Sequence, residues 1–227
     1  IMIIPVWVIF ASSTHTSLFI NTNGLQFILG DSFIENYSKV LFKKSGFFQE
    51  ITAIKMFINS FIMASGIATL SVATSLMAAY GLVYFRIRYA SLFFWLIFIT
   101  LLVPLELRIM PTYEIMSKLN LLNSYMGLIL PISASAIATF FFRQFYKSIP
   151  DELLEAAKLD GANSWKFFID FLVPLSKTMI AAVFIFMFVF GYNQYLWPLI
   201  MTTSEQYWTV VMGLKTMYGS ISQRFAF

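Results

Sequence analysis

The sequence contains no cysteine and a single histidine. Without cysteine there are no disulfides, no thiolate catalysis and no Cys-based metal site. One histidine, His15, cannot build a histidine cluster. It follows Ser12-Ser13-Thr14 at the end of an apolar run and reads as an interfacial or loop residue. Charge is scarce too. Only 11% of the 227 residues are charged, against about 25% in soluble domains. With 59% hydrophobic residues and a mean hydropathy of +0.77, the chain belongs in a bilayer. The net charge of +4 is small and scattered, so nothing points to nucleic acid. No Gly-x-x-x-x-Gly-Lys-Ser/Thr occurs, so the chain cannot cradle ATP phosphates through a P-loop. Gly-x-Ser-x-Gly and His-Glu-x-x-His are missing as well. No catalytic residue and no metal ligand is therefore assigned. A proton-driven transporter would carry ionisable residues in mid-membrane, and the long apolar runs hold none. Energy for any transport must come from a partner.

What is present is a series of uncharged runs, which predicts an all-α polytopic membrane protein. Helices are expected at about 57–85, 91–111, 120–142 and 177–201. The first is rich in small residues, and the Ser71/Ser75/Ala79 spacing allows close helix approach. Arg86 and Arg88 follow it in a short basic loop, which marks the cytoplasmic side. The next helix should end near Pro104 or Pro111, with residues 106–124 outside. Pro131 should kink the third. Arg143 and Lys147 then return the chain to the cytoplasm. Residues 1–14 read as a first transmembrane helix whose start is missing, because Ile1 to Ala11 is too short to span and lacks a basic leader. Residues 15–55 read as an outer loop. It carries turn signals at Asn21-Thr22-Asn23-Gly24 and Lys43-Lys44-Ser45-Gly46, and a short helix over 33–42. Residues 205–227 read as an outer loop and a helix start.

Between the third and fourth runs lies a polar island, Ser148 to Pro174. Pro150 suits the first helical position, and Asp151 and Glu152 complement the positive end of the helix dipole. Gly161 can take the left-handed C-cap conformation. Asn163 or Ser164 can cap a second short helix, which Pro174 closes. The expected product is a helix-Gly-helix elbow in the cytoplasm, over residues 148–174.

Glu155-Ala156-Ala157, then Gly161, Phe171, Val173 and Pro174, resembles the Glu-Ala-Ala-x3-Gly-x9-Ile-x-Leu-Pro loop of ABC-importer permeases. Phe171 stands for the family isoleucine and Val173 for the leucine; both stay apolar. The chain is identified on these residues as similar to the carbohydrate-type permeases of that family. Asn36-Tyr37 with Val40-Leu41 is similar to a segment preceding their core domain, which would here be residues 56–227. The resemblance implies the type I importer transmembrane fold, with about five helices of six present and the final one missing. It also implies that Glu155, Ala156, Ala157, Asp160, Gly161 and Pro174 form the coupling segment that docks on a separate ATPase. It implies a multi-pass protein of the bacterial inner membrane, paired with a second permease, an ATPase dimer and a periplasmic binding protein. The chain would hold no cofactor itself, since ATP and Mg bind the ATPase.

Two further clusters are candidates for a substrate path. Asn193, Gln194 and Tyr195 interrupt the last apolar run; in a membrane such amides either line a cavity or bond between helices. Trp197 and Pro198 beside them fit an interfacial belt. Glu106 and Arg108 sit near a helix end, close enough to pair as rim groups. The stretches 93–100, 104–112, 134–140 and 193–199 look most similar to permeases for sn-glycerol 3-phosphate. A maltose-type or other oligosaccharide or polyol permease is the alternative. A helical transporter or scaffold without an ATPase is the remaining one.

Overall fold

The computed structural model describes residues 3–43, 51–85 and 87–224. Arg86, Lys44, Ser45 and Gly46, singled out above, lie outside the described residues. Among the described residues the chain is helical, with no strand. α1 (Ile3–Ser13), α2 (Ser17–Asn23) and α3 (Phe33–Phe42) open the chain, so the expected outer loop holds two short helices. They are tied together locally: Asn36 Nδ2 donates to the carbonyls of Ser13 and His15, at 3.0 and 2.8 Å. His15 bonds the Ile28 carbonyl and stacks on Phe19.

The organising element is α4 (Ala53–Tyr84), 32 residues long. It is the single described helix that is long and apolar enough to cross a membrane by itself. The inward face of α4 carries its small residues: Ala64, Ala68, Ser71, Ser75 and Ala79 are all buried. α12 (Lys177–Tyr192) lies along this face. A Cβ added to Gly191 would stand 3.2 Å from the Ala64 Cα, so glycine is what permits the approach.

The other expected spans are broken. Where the sequence predicts one helix over 91–111, there are α5 (Ala90–Ile99), a 3-10 turn (Thr100–Leu102) and α6 (Leu105–Lys118). The two arms meet at 103°. Pro104 causes the break, since the residue before a proline avoids the helical region and Val103 is extended. Pro111, the other proposed end point, lies inside α6. Where one helix is predicted over 120–142, α7 (Tyr125–Ser133) and α8 (Ala136–Lys147) meet at 47°. Pro131 removes one donor, and Ala134 and Ser135 turn extended.

Backbone groups freed inside a membrane need partners. α4 supplies one here and reinforces another, since the Ser135 carbonyl already accepts from Thr139 N–H at 3.1 Å. Ser71 Oγ donates to the Ser133 carbonyl at 2.7 Å, and Ser75 Oγ to the Ser135 carbonyl at 3.2 Å. Thr139 Oγ1 closes the network on Ser75 Oγ at 3.2 Å. The Ser71/Ser75 spacing therefore does more than allow close packing: its hydroxyls tie α4 to both arms of a broken neighbour.

The far end of α4 is pinned differently. Asn59, wholly buried, donates to the carbonyls of Gln206 and Trp208 at 2.8 and 2.9 Å and accepts from Tyr125 Oη at 2.7 Å. Ser60 Oγ accepts from Val210 N–H. Asn123, in the left-handed conformation at φ +52°, accepts from Thr203 and Ser204 N–H. These contacts fasten α13 (Leu196–Met201) and the start of α14 (Val210–Arg224) to the bundle, with α14 occupying most of the expected terminal loop.

Trp197 corrects the interfacial-belt reading. Its side chain is 1% exposed, and its indole N–H donates to the Leu128 carbonyl at 3.2 Å. The indole found its hydrogen-bond partner inside the bundle rather than at a lipid boundary.

Candidate functional site: the elbow at residues 148–175

The polar island folds as the elbow expected from its caps. α9 runs Asp151–Leu159, with Pro150 one residue earlier than predicted, at the N-cap. Gly161 has φ +76°. The Ala162 N–H reaches back to the Ala157 carbonyl at 2.9 Å and closes the turn. Asn163 Oδ1 then accepts from Lys166 N–H at 2.8 Å and caps the second helix.

That second helix does not stop at Pro174. It runs Ser164–Leu175 as α10 (Ser164–Lys166), a π-helical turn (Phe167–Leu172) and α11 (Val173–Leu175). Pro174 has no N–H to give, and an ordinary helix would set its ring against the carbonyl four residues back. The widened π turn just ahead relaxes this register: Val173 N–H goes to the Phe168 carbonyl, five residues back. The chain bends by 73° into α12 at Ser176.

One side of the elbow is anchored. Ala157, Phe167, Phe168 and Leu172 are buried, and Leu154 packs against the same core. Tyr80 Oη of α4 donates to the Ser164 carbonyl at 2.8 Å. The Tyr80 ring lies 4.9 Å from Phe168, and Tyr84 meets Phe167 edge-on at 5.4 Å. The other side is bare. Glu155, Ala156, Asp160 and Gly161 are exposed, Leu159 is 89% exposed and Trp165 is 64% exposed. Of the three leucines in α9, Leu159 alone points outward, since Leu154 is spent on the core. Trp165, which the sequence reading passed over, is the larger apolar group on this surface. Its position one residue after the capped Ser164 is the signal that would have found it.

The second set of candidates is dispersed. A cavity of about 280 Å³ lies at the two helix breaks. Arg108, Thr100, Pro104, Ser135, Phe186 and Phe190 are among its walls. Glu106, Asn193, Gln194 and Tyr195 are not. Asn193 and Gln194 cap the end of α12 instead, donating to the carbonyls of Val189 and Phe190 at 2.8 and 3.3 Å. Tyr195 lies under Lys215, at 4.3 Å. Among the described residues the ion pairs are Glu35–Lys39 and Glu114–Lys118, so Glu106 and Arg108 do not pair. Each extends from an exposed part of α6.

Three comparisons bear on this arrangement. The model of the family described as "binding-protein-dependent transport system inner membrane component" matches residues 71–227. That range holds the elbow, both helix breaks and the cavity. The sn-glycerol-3-phosphate transport system permease protein UgpE of Yersinia pestis bv. Antiqua (strain Antiqua) is 52% identical over 162 residues, 71% of this chain. The match covers 58% of that relative, so the chain spans less than two thirds of its length. The protein of the same name from Shigella flexneri serotype 5b is 42% identical over 217 residues, 96% of this chain and 77% of the relative. A bacterial ABC transporter involved in the import of the acidic polysaccharide alginate has a chain of the same fold. The TM-score is 0.81 at 22% identity, over 98% of this chain and 80% of that one. With a helical elbow between membrane-type helices, and a family match over more than half its length, the chain belongs to the binding-protein-dependent transport system inner membrane components.

Proposed function

We propose that the chain is a permease subunit of an ATP-driven importer that moves sn-glycerol 3-phosphate across the bacterial inner membrane. The observation that carries this reading is the two-sided elbow. One side is hydrogen-bonded and packed onto α4, and the other offers Glu155, Ala156, Leu159 and Trp165 uncovered. An amphipathic helix with such a face fits a groove on another protein. The partner is an ATPase subunit, which binds ATP and Mg; a second permease and a solute-binding protein complete the importer. The names of the 52% and 42% identical relatives support the substrate. Arg108 at the cavity gives the path one fixed positive charge, suited to a phosphate ester.

Charge reversal at Glu155 tests the docking. Glu155→Lys is expected to abolish co-purification with the ATPase and ATP-driven uptake, while insertion of the permease is unchanged. An unpaired charge buried at the interface costs several kcal/mol, whereas a solvated surface glutamate would cost about 0.5 kcal/mol or less. Full complex and normal uptake in the variant would remove the elbow from consideration.

Topology has its own test, made simple by the absence of native cysteine. Asn59 and Tyr80 are 21 residues apart on α4, about 30 Å at the helical rise, which matches the hydrocarbon core. Tyr80 touches the elbow, and Asn59 touches Tyr125 and Gln206. Single cysteines at Ser164 and Ser117 should therefore react with impermeant reagent from opposite sides, Ser164 from the cytoplasm. Labelling of both from one side would refute the topology.

A further inference from the structure

We infer that α4 is the element that carries displacement of the elbow to the walls of the cavity, with Tyr80, Ser71 and Ser75 as its positioning residues. This rests on the reading of the elbow as the ATPase docking site. A push is transmitted only by contacts that hold their place under load. Packed rings slide, but a hydrogen bond to a backbone carbonyl fixes one point of one chain against another.

At its elbow end α4 has such a point. Tyr80 Oη reaches the Ser164 carbonyl, in the first residue of the second elbow helix. The bond is backed by rings on both sides, with Phe168 at 4.9 Å and Tyr84 at 5.6 Å from Tyr80. Tyr84 Oη sits at 3.5 Å from the Tyr146 carbonyl, so α8 is gripped more loosely at the same level. Five and nine residues before Tyr80, α4 makes two further carbonyl bonds, from Ser75 to Ser135 and from Ser71 to Ser133. Those carbonyls flank the break between α7 and α8. Ala134 and Ser135 at that break, with Pro131 and Ala136 on either side, line the 280 Å³ cavity.

The break is what makes the path directional. A continuous helix moves as a rod, whereas α7 and α8 meet at 47° through two extended residues. Moving α4 along its axis pulls on Ser133 and Ser135 together and opens or closes that angle. The elbow thus reaches the cavity through α4 as well as through α8 and α12, which it joins end to end and which also line the cavity. Coupling of this kind needs a two-state element that both sites bias, and the inference assigns that role to the α7–α8 joint, where two extended residues set the bend.

The test uses the assembled importer in proteoliposomes, with ATP hydrolysis and solute uptake measured on the same preparations. Tyr80→Phe keeps the rings and removes the hydroxyl. It is expected to raise the ATP hydrolysed per solute imported roughly fivefold or more, with the complex recovered in normal yield. Ser71→Ala with Ser75→Ala should do the same from the other end. The three changes together should add little to either, because they interrupt one path. Thr74→Ala, whose hydroxyl bonds within α4 itself, should leave the ratio unchanged. A ratio that stays at the wild-type value in Tyr80→Phe would overturn the inference. So would uptake and hydrolysis falling in parallel with complex yield, because a structural role alone does that. Failure of the wild-type chain to assemble with an ATPase would overturn the elbow reading, and this inference with it.

Discussion

Trp197→Ala is expected to destabilise the bundle by about 3 kcal/mol, a drop in melting temperature on the order of 10 °C. Two terms contribute to such a truncation in a water-soluble core: loss of transfer from water, and the cavity left behind. In a bilayer the first shrinks, since lipid is as apolar as the core. The second survives, because Trp197 is among the largest fully buried side chains and sits in the main cluster with Leu128 and Met201. The indole N–H bond to the Leu128 carbonyl is lost as well. Trp197→Phe separates the terms, keeping most of the volume and losing the donor, and should cost about 1 kcal/mol. Thermal unfolding of the purified permease in detergent gives both numbers. A Trp197→Ala protein that melts with the wild type would mean that this side chain faces lipid, as its sequence context suggests.

Gly161→Val should cut uptake by roughly tenfold or more while the protein still inserts and folds. Space is not the reason. A Cβ at this position would meet nothing within 4 Å. The backbone is the reason: φ is +76°, where a side chain crowds the following carbonyl at about 1–2 kcal/mol, and a β-branched residue fares worse. A factor of ten corresponds to about 1.4 kcal/mol, so the strain alone accounts for it once the turn reshapes and α9 swings away from its partner. The conformational cause predicts an order, with Asn the best tolerated, Ala intermediate and Val the worst. Uptake and ATPase co-purification across the three variants measure it. An indifferent Val variant would show that the turn contributes nothing to docking.

The elbow was the most legible part of the sequence, because its signals are local. A capping asparagine, a left-handed glycine and first-turn acids act within one or two helical turns. Pro174 was legible for the same reason and stands one residue before the helix ends, but the π turn that accommodates it spends an extra residue no local rule anticipates. The four apolar runs marked where helices lie and Pro131 marked one kink, but the breaks at Pro104 and after Tyr192 went unmarked. Uncharged residues read alike on either side of Pro104 and Pro131, and the angle between the arms is set by what packs there. The hidden half of the answer was in polar residues of α4. Ser71 and Ser75 read as small, and Asn59 attracted no attention in an uncharged run. Their bonds join residues 60 to 149 positions apart, and no window along the chain contains both ends. Asn193 and Gln194 are the opposite case. Conspicuous in sequence, they satisfy carbonyls one turn behind them.

The π turn also gives the motif's spacing a geometric meaning. Each residue of an α-helix turns the chain by about 100°. Losing a residue from 167–172 would be absorbed, since the π turn spends one residue more over the same rotation. Taking one out of 164–166, where winding is ordinary, would instead rotate everything before it, Gly161 and α9 included, by about that angle about the axis of the second helix. Ala157 and Leu154 would leave the core, and Leu159 would turn from the open side. The nine residues between Gly161 and Phe171 therefore act as a compass setting: they fix the bearing of the docking face, and a tether shortened or lengthened ahead of the π turn would aim it elsewhere.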